Sequence, residues 1–252
     1  MASEMRNNAE CEYLEWDSEF FGRRIARSKI SRLTDELADR IEEWCALERI
    51  ECLYFLADST DPITTRVAQT RGFRFVDARL TFERSRECGG ISEAHGLAFR
   101  DAEERDIPAL REIARNAHRD SRFYYDGTFT ERQCDELYET WIEKSCRGWA
   151  KKVFVAGTGM AVEGYVTCHA AELSIGQIGL VGVKETARGK GLGSGLVMHA
   201  VRWFEQVGAE RIRVVTQDRN VAAQRLYQKC GFATRSMEIW FHRWFTSEQA
   251  HA

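Results

Sequence analysis

The most restrictive stretch of this sequence runs from Val183 to Ser194, where an apolar segment leads through Arg188, Gly189, Lys190, Gly191 and Gly193. Leu192, Leu196, Val197, Ala200, Val201 and Phe204 then recur at helical spacing. The pattern predicts a strand, a cationic glycine turn and a helix in immediate succession. That order gathers backbone N–H groups and a helix N-terminus around one point, which is how a chain holds a pyrophosphate. Glycines let the main chain approach the phosphates closely, and Arg188 and Lys190 add formal charge.

Spacing excludes the two commonest nucleotide motifs. A P-loop needs Gly-Lys followed by Ser or Thr, and Lys190 is followed by Gly191. A dinucleotide fingerprint needs Gly-x-Gly-x-x-Gly; counted from Gly189 it ends on Ser194, and from Gly191 on Leu196. What fits is Arg-x-x-Gly-x-Gly, from Arg188 to Gly193. Taken alone, an ordinary glycine-bearing turn would also produce it.

A second segment follows about thirty residues on. Arg213 to Gln217 reads as an apolar strand, Asn220 as a helix start, and Ala223, Leu226 and Tyr227 as that helix, with Cys230, Gly231 and Phe232 as its stop. Together the two motifs resemble the GNAT N-acetyltransferase superfamily. The resemblance implies an α+β fold, with a central mixed, mostly antiparallel sheet flanked by helices, and acetyl-CoA as co-substrate. It implies that backbone groups of Val181, Gly182 and Val183 bond the pantetheine arm and thioester oxygen. It assigns the pyrophosphate to Arg188, Gly189, Lys190, Gly191, Leu192, Gly193 and Ser194. Asn220 would contact the pantetheine–phosphate region or orient the loop, and Tyr227 would protonate the departing thiolate. A phenol with a pKa near 10 is protonated at neutral pH, which suits that step; packing beside Phe232 is the plainer role. The superfamily often has Pro at the place of Glu185 and an aromatic at Ala187, departures expected to alter the loop without abolishing phosphate binding.

Composition is that of a globular chain: 252 residues, 44% hydrophobic and 30% charged, with a net charge of −3. Nothing in that balance attracts nucleic acid or an anionic membrane in bulk, so neither partner is expected. No apolar run approaches the roughly 20 residues of a membrane span, and the N-terminus lacks a signal-peptide core. The eight cysteines include no Cys-x-x-Cys pair and the six histidines form no ligand cluster. Reduced structural thiols, a cytoplasmic location and no metal are expected.

Ser85 to Gly96 is polar and glycine-bearing and reads as a linker. The organisation expected is an N-terminal α/β domain over 1–86, a linker over 87–96, the acetyltransferase domain over 97–246 and a tail over 247–252. Beyond the linker, Leu97–Arg100 reads as a strand and Asp106 with Pro108 as a helix start. Strands follow over Lys152–Ala156, Glu163–Ala170 and Ser174–Val183, joined by hairpin-like turns, one holding Gly157 and Gly159. The end of the N-terminal piece, Arg71 to Arg84, runs in step with Cys230 to Arg243: Gly-Phe, the later apolar positions and a closing Arg coincide. The N-terminal piece is either a degenerate GNAT half or a chance likeness of two strands after glycines. It has no Arg-x-x-Gly-x-Gly, so one acetyl-CoA site per chain is expected.

Trp16 to Gly22, Ser121 to Phe123, Trp141 to Glu143, Arg147 with Gly148, and Thr216 with Gln217 resemble the TDP-fucosamine acetyltransferases. These acetylate the 4-amino group of TDP-4-amino-4,6-dideoxygalactose for surface polysaccharides, which implies an amino sugar nucleotide as acceptor. Arg122, Phe123, Tyr124 and Tyr125 suit pairing with a diphosphate and stacking on a base, or equally a loop that covers the core. Asp77 is the candidate base, with a solvated strand position as the plainer alternative. His118 reads as structural. Other acceptors (a protein N-terminus, a lysine, a polyamine) stay open, as do a non-catalytic acetyl-CoA-binding regulatory module and a homodimer.

Overall fold

The computed structural model describes residues 8–87, 98–157, 161–172 and 174–245. Most of the expected linker, the Gly159 turn and the tail over 247–252 lie outside the described residues. The chain divides into two compact units that do not follow the seam expected near residue 90. The first comprises Met1–Arg79, Tyr125–Phe129 and Met237–Ala252; the second comprises Leu80–Tyr124 and Thr130–Ser236.

The first unit is built from β1 (Cys11–Tyr13), α1 (Glu15–Phe21), β2 (Ile25–Ser28), α2 (Asp35–Leu47), β3 (Cys52–Asp58), α3 (Pro62–Thr70) and the start of β4 (Arg74–Ser85). β1 is antiparallel to β2, and β2 is parallel to β3. Ala38, Ile41 and Cys45 of α2 and Val67 and Ala68 of α3 bury their faces with Leu53, Phe55 and Ala57 of β3. Leu53, Phe55 and Ala57 share one face of a strand buried along most of its length, and Ala38, Ile41 and Cys45 recur at three- and four-residue spacing, so these side chains meet in one core.

The second unit holds the rest of β4, then β5 (Ala98–Asp101), α4 (Ile107–Ala117), the start of α5 (Arg122–Asp126), α6 (Glu131–Lys144), β6 (Lys152–Gly157), β7 (Gly164–Glu172), β8 (Ile175–Val183), α7 (Leu192–Gln206), β9 (Arg211–Gln217), α8 (Val221–Lys229) and the start of β10 (Ala233–Trp244). Its strands lie in the order β4-β9-β8-β7-β6-β5. The three pairings from β5 to β8 are antiparallel and β8 is parallel to β9, the mixed, mostly antiparallel sheet expected. Leu196, Val197, Ala200, Val201 and Phe204 of α7 pack with Val166, Ile178, Ile212 and Val214. Asp106 stands at the α4 start, but its carboxylate accepts from the backbone N–H of Glu103 and from Arg100 rather than from the helix.

The likeness seen between two strands extends to whole elements. β3 and β9, α3 and α8, and β4 and β10 have equal lengths, each pair 159 positions apart, as are Gly72 and Gly231 (231 minus 72). The helix stops agree in detail. Phe73 N–H donates to the Ala68 carbonyl at 2.9 Å, and Phe232 N–H to the Tyr227 carbonyl at 3.0 Å. Arg49, with φ of 51°, stands 159 positions before Gly208, whose φ is also positive at 93°. The strand after each helix passes from one unit into the other: β4 begins in the first and ends in the second, and β10 does the reverse. That exchange is why a boundary drawn through one polar stretch of sequence misses the compact units.

Candidate active site

β8 pairs with β9 only from Ile175 to Ile178, while its other edge stays paired with β7 as far as Val183. Past Ile178, no ladder to β9 is found among the described residues, so that edge of Val181–Val183 is open to a ligand. A short 3₁₀ turn, Glu185–Ala187, follows, anchored by the buried side chain of Ala187. The glycine turn then climbs into α7. Gly189 has φ of 77° and Gly191 has φ of 83°, a left-handed conformation that costs a side-chain-bearing residue about 1–2 kcal/mol.

Gly191 is also the N-cap of α7, with no side-chain cap and no acidic residue in the first turn. The N–H groups of Leu192, Gly193 and Ser194 therefore lack intrahelical acceptors, and the positive end of the helix dipole reinforces them. A diphosphate fits there without displacing a protein group. Arg188 is exposed beside the turn and donates through Nε to the Val183 carbonyl at 3.3 Å, tying the turn to the open strand edge.

α8 supplies the opposite wall. Asn220 caps it, accepting from the Ala223 N–H at 3.0 Å, so its side chain orients the helix start. Tyr227 is 5% exposed, with its ring 6.0 Å from that of Phe82 and 6.1 Å from that of Phe232. Burial pushes its phenol above the ordinary tyrosine range, so it holds its proton throughout neutral pH. Among the described residues, no side chain takes up the Tyr227 hydroxyl.

A cavity of about 440 Å³ joins these parts. Val181, Val183, Arg188, Gly189, Gly191–Ser194, Asn220 and Tyr227 all line it, so the structure brings together most of the positions read from the two motifs. Gly182 and Lys190 are not in the wall: Gly182 is buried against Tyr165, and Lys190 is exposed at the turn. Ala117, Asp120 and Lys229 also line the cavity, and the sequence reading missed them. Lys229 could have been found from its place on α8 beside Leu226; Ala117 and Asp120 reach the site through the packing of α4, which leaves no local signal.

The acceptor-side candidates are scattered. Phe123 is 2% exposed, packs edge-on against Trp141 at 6.0 Å, and has the Arg122 guanidinium over its ring at 4.5 Å. Burial thus makes Phe123 a packing residue rather than a stacking platform. The Tyr124 hydroxyl donates to Asp135 at 2.7 Å; Tyr125, 55% exposed, is the open ring of the run. Asp77 belongs to the first unit and, at 2% exposed, is not a solvated strand residue. No group of acidic, His or Cys side chains suited to a metal occurs among the described residues, and no described helix is long and apolar enough to cross a membrane.

In the first unit, the helix corresponding to α7 is closed to anions. Thr34 caps α2 by accepting from the Leu37 N–H at 3.3 Å, and Asp35 and Glu36 occupy its first turn.

Residues 108–232 match the acetyltransferase (GNAT) family. The chain carries a GNAT acetyltransferase domain. Members of this family use acetyl-CoA, which the uncapped helix and open strand edge can accept. The chain is 28% identical over 242 residues to dTDP-fucosamine acetyltransferase of Escherichia coli, covering 93% of this chain and 98% of that one. It is 26% identical over 139 residues to the spore coat polysaccharide biosynthesis protein SpsD of Bacillus subtilis, covering 55% and 48% of the two chains. Among solved structures, a GCN5-related N-acetyltransferase from Sphaerobacter thermophilus superposes with a TM-score of 0.65 at 14% identity, covering 93% of this chain and 76% of that one. A tandem GNAT protein of clavulanic acid biosynthesis gives 0.58 at 13% identity, covering 87% and 75%. At those identities the two structures speak to the fold alone: this chain shares their α+β architecture.

Proposed function

We propose that this acetyltransferase transfers acetyl from acetyl-CoA to the 4-amino group of a TDP-linked amino-dideoxy sugar used in surface polysaccharide. The observation that carries the acceptor is the similarity to dTDP-fucosamine acetyltransferase, which runs through nearly the full length of both chains rather than the donor domain alone. The partial likeness to a second polysaccharide-biosynthesis protein supports the same acceptor class.

Acetyl-CoA supplies the acetyl thioester. The N–H groups at Leu192–Ser194 and the charge of Arg188 bind the pyrophosphate, and the open edge at Val181–Val183 receives the pantetheine arm. The acceptor amine attacks as the free base: its nitrogen forms a bond to the acetyl carbon, the carbon–sulfur bond breaks, and the thiolate takes the Tyr227 proton. Asp77 is the proposed acceptor of the amine proton; the residue is 2% exposed. Arg122 and Tyr125 are proposed to meet the nucleotide. The first unit serves as a degenerate GNAT copy without donor binding, because Thr34, Asp35 and Glu36 close its helix start.

Release of free thiol from acetyl-CoA, measured across TDP- and UDP-linked amino sugars, peptides and polyamines, tests this reading. Turnover confined to the amino sugar nucleotides supports it. Turnover of peptides or polyamines alone would replace it.

A further inference from the structure

Gly182, the middle residue of the thioester-binding edge, is buried with its backbone pressed on an aromatic ring. A Cβ placed there would lie 2.4 Å from Cε1 of Tyr165, the residue directly opposite it on β7. Tyr165 is 0% exposed. A buried phenol needs a partner for its hydroxyl. That partner is Nε2 of His118, 3.0 Å away. The imidazole is itself held by stacking on Tyr138, with centroids 4.6 Å apart and planes 22° from parallel. His118 follows Ala117 and precedes Asp120, both of which line the donor cavity, and Gly182 lies between Val181 and Val183, which line it as well.

A continuous set of contacts therefore runs from the C-terminal end of α4 through imidazole and phenol to Gly182, which joins two residues of the cavity wall. Phenylalanine could fill the same volume as Tyr165. What the hydroxyl adds is a fixed ring position, and ring position decides where the Gly182 backbone can sit. Burial, with the charge of Arg188 adding to it, pulls the His118 imidazole down to about 4. It is neutral at physiological pH and adds no charge beside the phosphate site.

We propose that His118 and Tyr165 are a positioning pair whose hydrogen bond holds the Tyr165 ring against Gly182 and so sets the Val181–Val183 edge for the acetyl thioester. The inference rests on the acetyl-CoA reading above. Neither residue touches the reacting atoms; both act through the strand.

The test uses the full chain with His118→Ala, His118→Gln, Tyr165→Phe and the His118→Ala/Tyr165→Phe double variant. Steady-state constants for acetyl-CoA and for the acceptor are measured beside the melting temperature. His118→Ala and Tyr165→Phe should each lower kcat/KM for acetyl-CoA by about five- to tenfold, the scale of one buried hydrogen bond. The acceptor KM should stay unchanged. The double variant should be no worse than either single, because both remove the same bond. His118→Gln, whose amide can bond the phenol, should recover most of the loss. Unchanged constants, losses that multiply in the double variant, or losses that follow melting temperature without rescue by Gln would each overturn the proposal. If His118→Ala does not fold, the near-isosteric Tyr165→Phe and His118→Gln variants carry the test. A wild-type chain that releases no thiol from acetyl-CoA would sink the donor reading itself, a separate result.

Discussion

Tyr227→Phe separates chemistry from binding and folding more cleanly than any other change in this chain. The ring is 5% exposed and packs near Phe82 and Phe232, contacts that phenylalanine keeps. No described side chain bonds the hydroxyl, so its removal leaves no buried polar partner behind, and stability should move by less than about 0.5 kcal/mol. The cavity wall keeps its shape, so the Kd for acetyl-CoA should hold within about twofold. What disappears is the proton for the leaving thiolate, a contribution of about 10²–10⁴ in rate. Burial raises the phenol above its ordinary pKa of 10.0, so the acid form persists to higher pH, and the wild-type rate should show no loss from its ionisation below that value. Calorimetric titration gives Kd and stopped-flow thiol release gives the transfer rate. A rate unchanged within twofold, or a rate and an affinity that fall together, would refute the role.

Three further outcomes follow from the geometry. Gly191→Ala places a side chain at φ of 83° at the α7 N-cap, and should weaken acetyl-CoA binding about tenfold while lowering the melting temperature by a few degrees, read by calorimetry. Titration with acetyl-CoA should saturate at one molecule per chain, because Thr34, Asp35 and Glu36 close the corresponding helix of the first unit; two equal sites would contradict this. Asp126→Asn should cost about 3 kcal/mol or more in urea unfolding, since the carboxylate is buried and bonded to His242 at 2.6 Å. Burial alone would raise the Asp126 carboxyl, but the bonds from His242, Trp244 and Thr128 outweigh it and hold it down to about 2, below the ordinary 3.8. Its share of stability is therefore complete above pH 3.8 and is lost as pH falls through about 2, a loss the variant should lack.

The cavity proposed for the donor was legible because its features are local. Left-handed glycines, an uncapped helix start and an Asn cap are each set by a few adjacent residues, and they read the same in the sequence and in the folded chain. The acceptor side was not, because burial is tertiary. Arg122 to Tyr125 look alike as an aromatic run, yet Phe123 is sealed under Arg122 and against Trp141 while Tyr125 stays open. His118 and Tyr165 lie 47 positions apart and meet only through the packing of α4 on β7. The likeness between the two halves was visible as two matching strands. The exchange of those strands between units was hidden, since nothing local marks where a strand leaves its own half of the chain.

Acetyl transfer to the sugar amine can be tested in one experiment. The purified chain is incubated with acetyl-CoA and TDP-4-amino-4,6-dideoxygalactose, and the product is examined by mass spectrometry and NMR. The expected product is the mono-acetylated sugar nucleotide with the amide on the 4-nitrogen, formed with one thiol released per acetyl transferred. An unchanged sugar nucleotide, under conditions where the same preparation acetylates a peptide or a polyamine, would contradict the account.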